Sequence, residues 1–200
     1  MDASASSPPT TKTVCDGRLE VCCAKHNRLR RLTRSQLEEE IQRAFFGLKV
    51  SVEPIGPRAL QYVDDVWTPA GRRVAFDWRR IMRTLEKSHP RRLDLAFWHK
   101  GELCGLATAR LSDNKLWLSV THLEGAPNAH ILKRRVAPVA LIGADIYAVL
   151  IREEDSAKRL PSLRLLNPLA KSIPVYAKCG YDSFHVANGY TFVTASEKSS

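Results

Sequence analysis

Three cations in a row, Lys133-Arg134-Arg135, stand immediately before an apolar run that opens at Val136. If that run is a helix, its first turn offers free backbone N–H groups and a partial positive charge. Three full charges beside such a terminus make a cradle for a phosphate or pyrophosphate. The same residues also fit a solvated basic turn covering the start of the helix. A second group is Cys15, Cys22, Cys23 and His26. Their spacing fits no standard zinc pattern, and adjacent cysteines rarely ligate one metal well. No metal is expected, and the thiols read as incidental on a short strand or loop. A third is Tyr176, alone in the stretch "SIPVYAKCGYDSF". Either its ring packs a helix onto a sheet or its phenol does chemistry.

The elements that must position these residues follow from patterning. The chain has 200 residues, of which 44% are apolar and 26% charged, and this suits one globular domain. A formal net charge of +10 favours phosphate-bearing or polyanionic partners. Residues 1–13, "MDASASSPPTTKT", read as a disordered tail without the basic start and apolar run of a signal peptide. The longest apolar run, Val136 to Ile151, is too short for a bilayer and contains Asp145. No membrane association and a cytoplasmic location are expected. Residues 14–34 carry Arg18, Lys25, Arg28, Arg30, Arg31 and Arg34 and read as a solvated basic arm, with nucleic acid as the alternative partner. The arm has no aromatic residue for base stacking. A chain beginning at Thr33 is expected to keep the fold.

Thr33 and Ser35 offer caps for a helix that stops at Gly47. "LKVSVEPI" reads as a strand, "PRALQYVDDVW" as a helix opened by Pro57, and "FDWRRIMRTLEKSH" as another helix, stopped by Pro90. The period then changes to two. "RLDLAFW" and "LCGLATARL" form a hairpin about "HKGE", and "KLWLSVTHL" follows with Leu116, Leu118 and Val120 on one face. "VAPVALIGADIYAVLI" has helical spacing with Asp145 as its one internal charge. "SLRLLN" is the next strand, "SIPVYAK" a helix, and "DSFHVA" and "YTFV" two strands about an Asn188-Gly189 turn.

This order, with "LLNPLAKSIPVYAKCGYDSF" near its end, resembles the GNAT superfamily (GCN5-related N-acetyltransferases). The residues that carry the resemblance are Asn167, Ala170, Tyr176 and Gly180-Tyr181, together with the "LDLAFWHKGELCGLATARL" hairpin. It implies an α/β (α+β) fold, a mixed, mostly antiparallel central sheet flanked by helices. It assigns residues 48–195 to an acyl-CoA N-acyltransferase-like domain, after a basic arm and extra helix at 14–47 and before a tail at 196–200. It implies acetyl-CoA as co-substrate and an amine as acceptor, with the pyrophosphate at Lys133, Arg134, Arg135, Val136 and Ala137.

Acyl transfer needs an oxyanion donor, a base for the ammonium and an acid for the thiolate. In the family's frame, backbone N–H groups near Val120 serve the oxyanion, and Tyr176 serves as acid. His122 or Glu124, at the end of the third meander strand, serves as base. His122 is alternatively a capping histidine and Glu124 a loop carboxylate. Asn167 either orients the cofactor or ends its strand. One departure stands out. The family pattern is Gln or Arg, two residues, Gly, one residue, then Gly or Ala. This chain has Arg134 to Val139 there, with neither glycine and with Pro138, which has no N–H. A GNAT-fold binding module without turnover is the alternative this departure supports.

Overall fold

The computed structural model describes residues 13–154, 159–187 and 189–196, with side chains from residue 20 onward. Its helices are α1 (Thr13–Ala44), α2 (Pro57–Val66), α3 (Trp78–Ser88), α4 (Val136–Glu154) and α5 (Ile173–Lys178). The strands are β1 (Ser51–Glu53), β2 (Arg92–His99), β3 (Glu102–Leu111), β4 (Trp117–Gly125), β5 (Ser162–Leu166), β6 (Tyr181–Ala187) and β7 (Tyr190–Ala195). One sheet holds all seven strands in the order β1-β2-β3-β4-β5-β7-β6. All neighbours are antiparallel except β4 and β5, which run parallel.

Strand β2 shows how the layers arise. Its alternation in sequence suggests one buried face, yet every residue from Leu93 to Trp98 is buried. Leu93, Leu95 and Phe97 join the core formed with α1 and α4, through Leu37, Ile41, Val139 and Tyr147. Ala96 and Trp98 join a second core with Val63, Trp78, Met82 and Leu85 of α2 and α3. The period of two therefore sorts side chains to two covered faces. The β2–β3 turn places Lys100 and Gly101 both at positive φ, 48° and 83°, as a tight hairpin demands. Leu118 and Val120 face the core as expected, but Leu116 lies before β4 and is 43% exposed. Of the hairpin turn at Asn188-Gly189, Asn188 lies outside the described residues, and Gly189 has φ 74°.

The N-terminal third corrects the sequence reading. No arm precedes a capped helix at residue 35, because α1 runs unbroken for 32 residues. Thr33 is not a cap. It is fully buried, and its Oγ1 donates to the Leu29 carbonyl one turn back. His26, Leu29 and Arg30 are buried as well. Arg30 donates to the carbonyls of Pro90 and Arg92 at 3.0 and 3.1 Å and lies 3.7 Å from Asp94. His26 Nδ1 is hydrogen-bonded to the Tyr147 hydroxyl at 2.8 Å, and Arg28 pairs with Glu154. A chain beginning at Thr33 would take these groups out of the core and could not keep the fold unchanged. Of the tails read at 1–13 and 196–200, residues 1–12 and 197–200 lie outside the described residues, as do the side chains of Cys15 and Arg18, and Thr13 opens α1.

A close approach seats the start of helix α4. A Cβ built on Gly105 of β3 would lie 2.6 Å from Val136 Cγ1 and 3.1 Å from the Glu124 carbonyl oxygen. Val136 is β-branched and cannot swing away cheaply, and the carbonyl belongs to a paired strand. Gly105→Ala is therefore expected to destabilise the fold by about 1–3 kcal/mol through overpacking. Urea denaturation of the two proteins measures this, and an unchanged midpoint would refute it.

Candidate active site

The site begins where two strands part. β4 and β5 pair from Trp117–Ser162 to Val120–Leu165. β4 then continues to Gly125, whereas β5 ends at Leu166. Beyond Val120 the β5 side of β4 has no strand partner, so its backbone groups open toward the gap. A bulge coincides with this point. Thr108 of β3 faces His122, and Ala109 faces Val120, so Thr121 is the extra residue. A bulge re-aims side chains beside it.

His122 is the side chain so placed. Its Nδ1 lies 3.1 Å from both Thr108 Oγ1 and Thr121 Oγ1. Thr121 in turn donates to the Thr108 carbonyl at 3.3 Å, which leaves its oxygen to accept from Nδ1–H. That assignment puts the free lone pair on Nε2, the basic atom. The rings of Phe76 and Trp78 stand edge-on to the imidazole at 5.2 and 6.2 Å. Burial, helped by the charge of Arg110, holds His122 below the usual histidine range. It is therefore neutral at neutral pH and can accept a proton.

Two cavities meet at His122. The smaller, about 40 Å³, lies in the gap between the strands. Val120, His122, Asn167, Ser172 and Tyr176 are among the residues lining it. The larger, about 360 Å³, opens between α3, the bulge and the end of β5. The structure thus brings four of the expected residues, Val120, His122, Asn167 and Tyr176, to one place.

Tyr176 is 7% exposed on α5. Burial raises its phenol above the ordinary value, with the Ser172 hydroxyl pulling the other way. It stays protonated at neutral pH. Asn167 ends its strand: its N–H donates to the Thr191 carbonyl at 2.7 Å, and its Oδ1 accepts from the Thr191 N–H at 3.2 Å. It does so at φ 46°, a conformation Asn tolerates better than most residues.

Glu124 is elsewhere. Its carboxylate is 2% exposed and lines neither cavity. Arg72 grips both oxygens, Nε to Oε1 at 2.8 Å and Nη2 to Oε2 at 2.7 Å, and the Trp78 indole N–H donates to Oε2 at 2.7 Å. These three charge-assisted bonds occupy the group that sequence reading offered as a base. Glu124 is instead a positioning residue that anchors Trp78 and the Arg72 loop against β4. Nothing in the sequence marks Arg72 as its partner, 52 residues away.

The basic triplet is also apart from the strand gap. Lys133, Arg134, Arg135, Val136 and Ala137 line neither cavity. Val136 and Ala137 are 5% and 7% exposed, so their side chains serve the core, and Val139 is fully buried. The Arg135 guanidinium stacks 5.0 Å above the Phe45 ring. Arg134 takes the positive φ of 67° that the glycine-less turn requires of some residue. The N–H groups of Arg134, Val136 and Ala137 have no acceptor among the described residues, whereas those of Lys133, Arg135 and Val139 do. Helix-terminal donors for an anion are therefore present, and Pro138 removes only one.

Among the described residues no group of three or more His, Cys, Asp or Glu side chains is arranged to hold a metal. Cys22 and Cys23 are half-buried free thiols. No described helix is long and apolar enough to cross a membrane.

A mostly antiparallel seven-stranded sheet, with one parallel pair that splays and helices on both faces, is the mixed, helix-flanked sheet that the sequence resemblance implied. No family model matches the sequence, and no curated protein does. Among solved structures the chain is similar to an acetyltransferase from Thermus thermophilus, at 15% identity, 72% of this chain, 94% of that one and a TM-score of 0.49. It is similar to the PaiA N-acetyltransferase of Thermoplasma acidophilum in complex with coenzyme A, at 15% identity, 74% and 98% coverage and a TM-score of 0.45. It is also similar to the Campylobacter jejuni N-acetyltransferase PseH in complex with acetyl coenzyme A, at 10% identity, 74% and 99% coverage and a TM-score of 0.44. A likeness this distant carries nothing about activity.

Proposed function

We propose that the protein is an acyl-CoA-dependent N-acyltransferase that transfers an acetyl group from acetyl-CoA to an amine. The observation that carries the reading is the meeting of His122 and Tyr176 on one cavity in the gap between β4 and β5. A neutral imidazole and a protonated phenol are the base and the acid that aminolysis of a thioester requires. The thioester supplies the electrophilic carbonyl carbon.

His122 Nε2 takes the proton that the acceptor ammonium must lose before its nitrogen can attack. The C–N bond forms as the C–S bond breaks, and the departing sulfur is met by the Tyr176 hydroxyl. A buried phenol is a weaker acid than a thiol of pKa near 8.5. The phenol therefore stabilises the thiolate chiefly as a hydrogen-bond donor, and the proton reaches sulfur in full from solvent. His122 passes its proton to solvent, the nitrogen loses its second proton to solvent as the amide forms, and the thiolate takes one up, so overall an ammonium and a thioester give an amide, a thiol and one proton. Unpaired backbone N–H groups of β4 beyond Val120 face the developing oxyanion. The free N–H groups of Arg134, Val136 and Ala137 suit the pyrophosphate.

Calorimetric titration with acetyl-CoA tests the reading. Binding in the micromolar range is expected. Tyr176→Phe keeps the ring packing and is expected to lower turnover about 100-fold with cofactor affinity unchanged. No heat at high micromolar acetyl-CoA would overturn the enzyme reading and leave a GNAT-fold binding module.

A further inference from the structure

Arg110 and Arg80 make the larger cavity chemically distinctive. Arg110 sits on β3, a central strand, and Arg80 on α3, and both line the 360 Å³ cleft beside His122. Three other arginines find acids: Arg79 of α3 pairs with Asp64 at 2.6 Å, Arg91 reaches Asp113, and Arg92 at the start of β2 reaches Glu86 and Asp94. Among the described residues, neither the Arg110 nor the Arg80 side chain forms a salt bridge or a hydrogen bond. No Asp or Glu lines the cleft.

The charge of Arg110 is felt by its neighbours. It helps to lower His89, His122 and Arg164 below their ordinary ranges. The acid that opposes it at His89 is Asp113, which is fully exposed and already faces Arg91. A half-buried guanidinium on a central strand thus lies near other basic groups with no acid partner among the described residues. An anion in the cleft reverses that balance. Ile81, Leu85, Leu166 and Tyr190 supply apolar wall, and the volume suits a small molecule or a chain end.

Resting on the acyltransferase reading above, we propose that this cleft is the acceptor site and that it takes an amine carrying an anionic group, a carboxylate or a phosphate. Arg110 and Arg80 hold the anion, and the amine points to His122 at the junction with the strand gap. The same field disfavours an ammonium near His122, so it also favours release of the proton that attack requires. An acceptor bearing a second positive charge is rejected.

The test is direct binding to the full chain without acetyl-CoA, monitored by NMR at fixed ionic strength. The probes are glutamic acid α-amide against glutamine amide, O-phosphoserine amide against serine amide, and lysine amide. Each anionic probe is expected to bind at least about tenfold tighter than its neutral mate, about 1.4 kcal/mol. Lysine amide is expected to bind weakest. The larger of the two preferences tells carboxylate from phosphate. Arg110→Gln and Arg80→Gln are each expected to reduce the preference to less than about threefold, with the shifts of the remaining residues unchanged. Equal or tighter binding of a neutral or cationic probe overturns the proposal, as does a preference that survives both substitutions. If the anionic probes bind and acetyl-CoA gives no heat, the cleft's selectivity stands and the acyl-transfer reading falls. If acetyl-CoA binds and neutral amines are acetylated best, the selectivity falls and the acyl-transfer reading stands.

Discussion

Asp94→Ala will destabilise the protein by about 3–5 kcal/mol, the range for removing one partner of a buried ion pair. Asp94 is 3% exposed in the middle of β2. Its Oδ2 accepts the Ile55 N–H at 3.0 Å, and its Oδ1 stands 3.7 Å from both Arg30 and Arg92. Arg30 is itself 6% exposed. Truncation leaves its charge beside an apolar core and leaves the Ile55 amide without an acceptor. The three groups come from α1, β2 and the segment between β1 and α2, so the loss reaches three parts of the chain. Asp94→Asn keeps the acceptor for Ile55 but not the charge, and should recover only part of the loss. Urea denaturation of the three proteins measures it. A midpoint for Asp94→Ala within experimental error of the parent would sink this account of how α1 is held.

That cluster marks the limit of what the sequence disclosed. Leu93, Leu95 and Phe97 announced a strand, because a period of two is a local signal. The apolar spacing from Val136 announced α4 in the same way, and the Asn167–Tyr181 stretch carried the family resemblance. Asp94 was legible only as the polar partner in an alternation. Its burial depends on Arg30, far away in the chain but adjacent in space, and no local pattern encodes such a pairing. Charge density misled at residues 14–34 for the same reason. A run of arginines reads as solvated until the partners that bury Arg30 and engage Arg28 are known. Thr33 and Ser35 matched a cap pattern, yet a pattern does not reveal that the helix already extends past it. At the site the split is similar. Tyr176, His122, Val120 and Asn167 were legible and converge. Glu124 was legible as a carboxylate, but its commitment to Arg72 and Trp78 was not. Arg110 gave no signal at all, because its meaning lies in having no acid beside it.

His122→Asn should lower turnover about 10²- to 10⁴-fold, the range for losing a positioned general base, or about 3–5.5 kcal/mol in the barrier. Asn is the informative replacement. Its side-chain amide can still donate toward Thr108 and Thr121, as Nδ1 does, and it removes only the ring atom that accepts the proton. Heat of acetyl-CoA binding should persist, which separates loss of chemistry from loss of fold. The pH dependence fixes the role more sharply. A base works in its neutral form, so activity is lost as pH falls through its pKa. Burial and Arg110 both push His122 below the usual 6.5, so the midpoint of the parent's acid limb should lie below pH 6.5. In Arg110→Gln the second of those influences is gone, and the acid limb should move toward higher pH. In His122→Asn the limb should vanish from the residual rate. A parent profile already falling above pH 7, or a limb that survives His122→Asn, would assign the proton to another group.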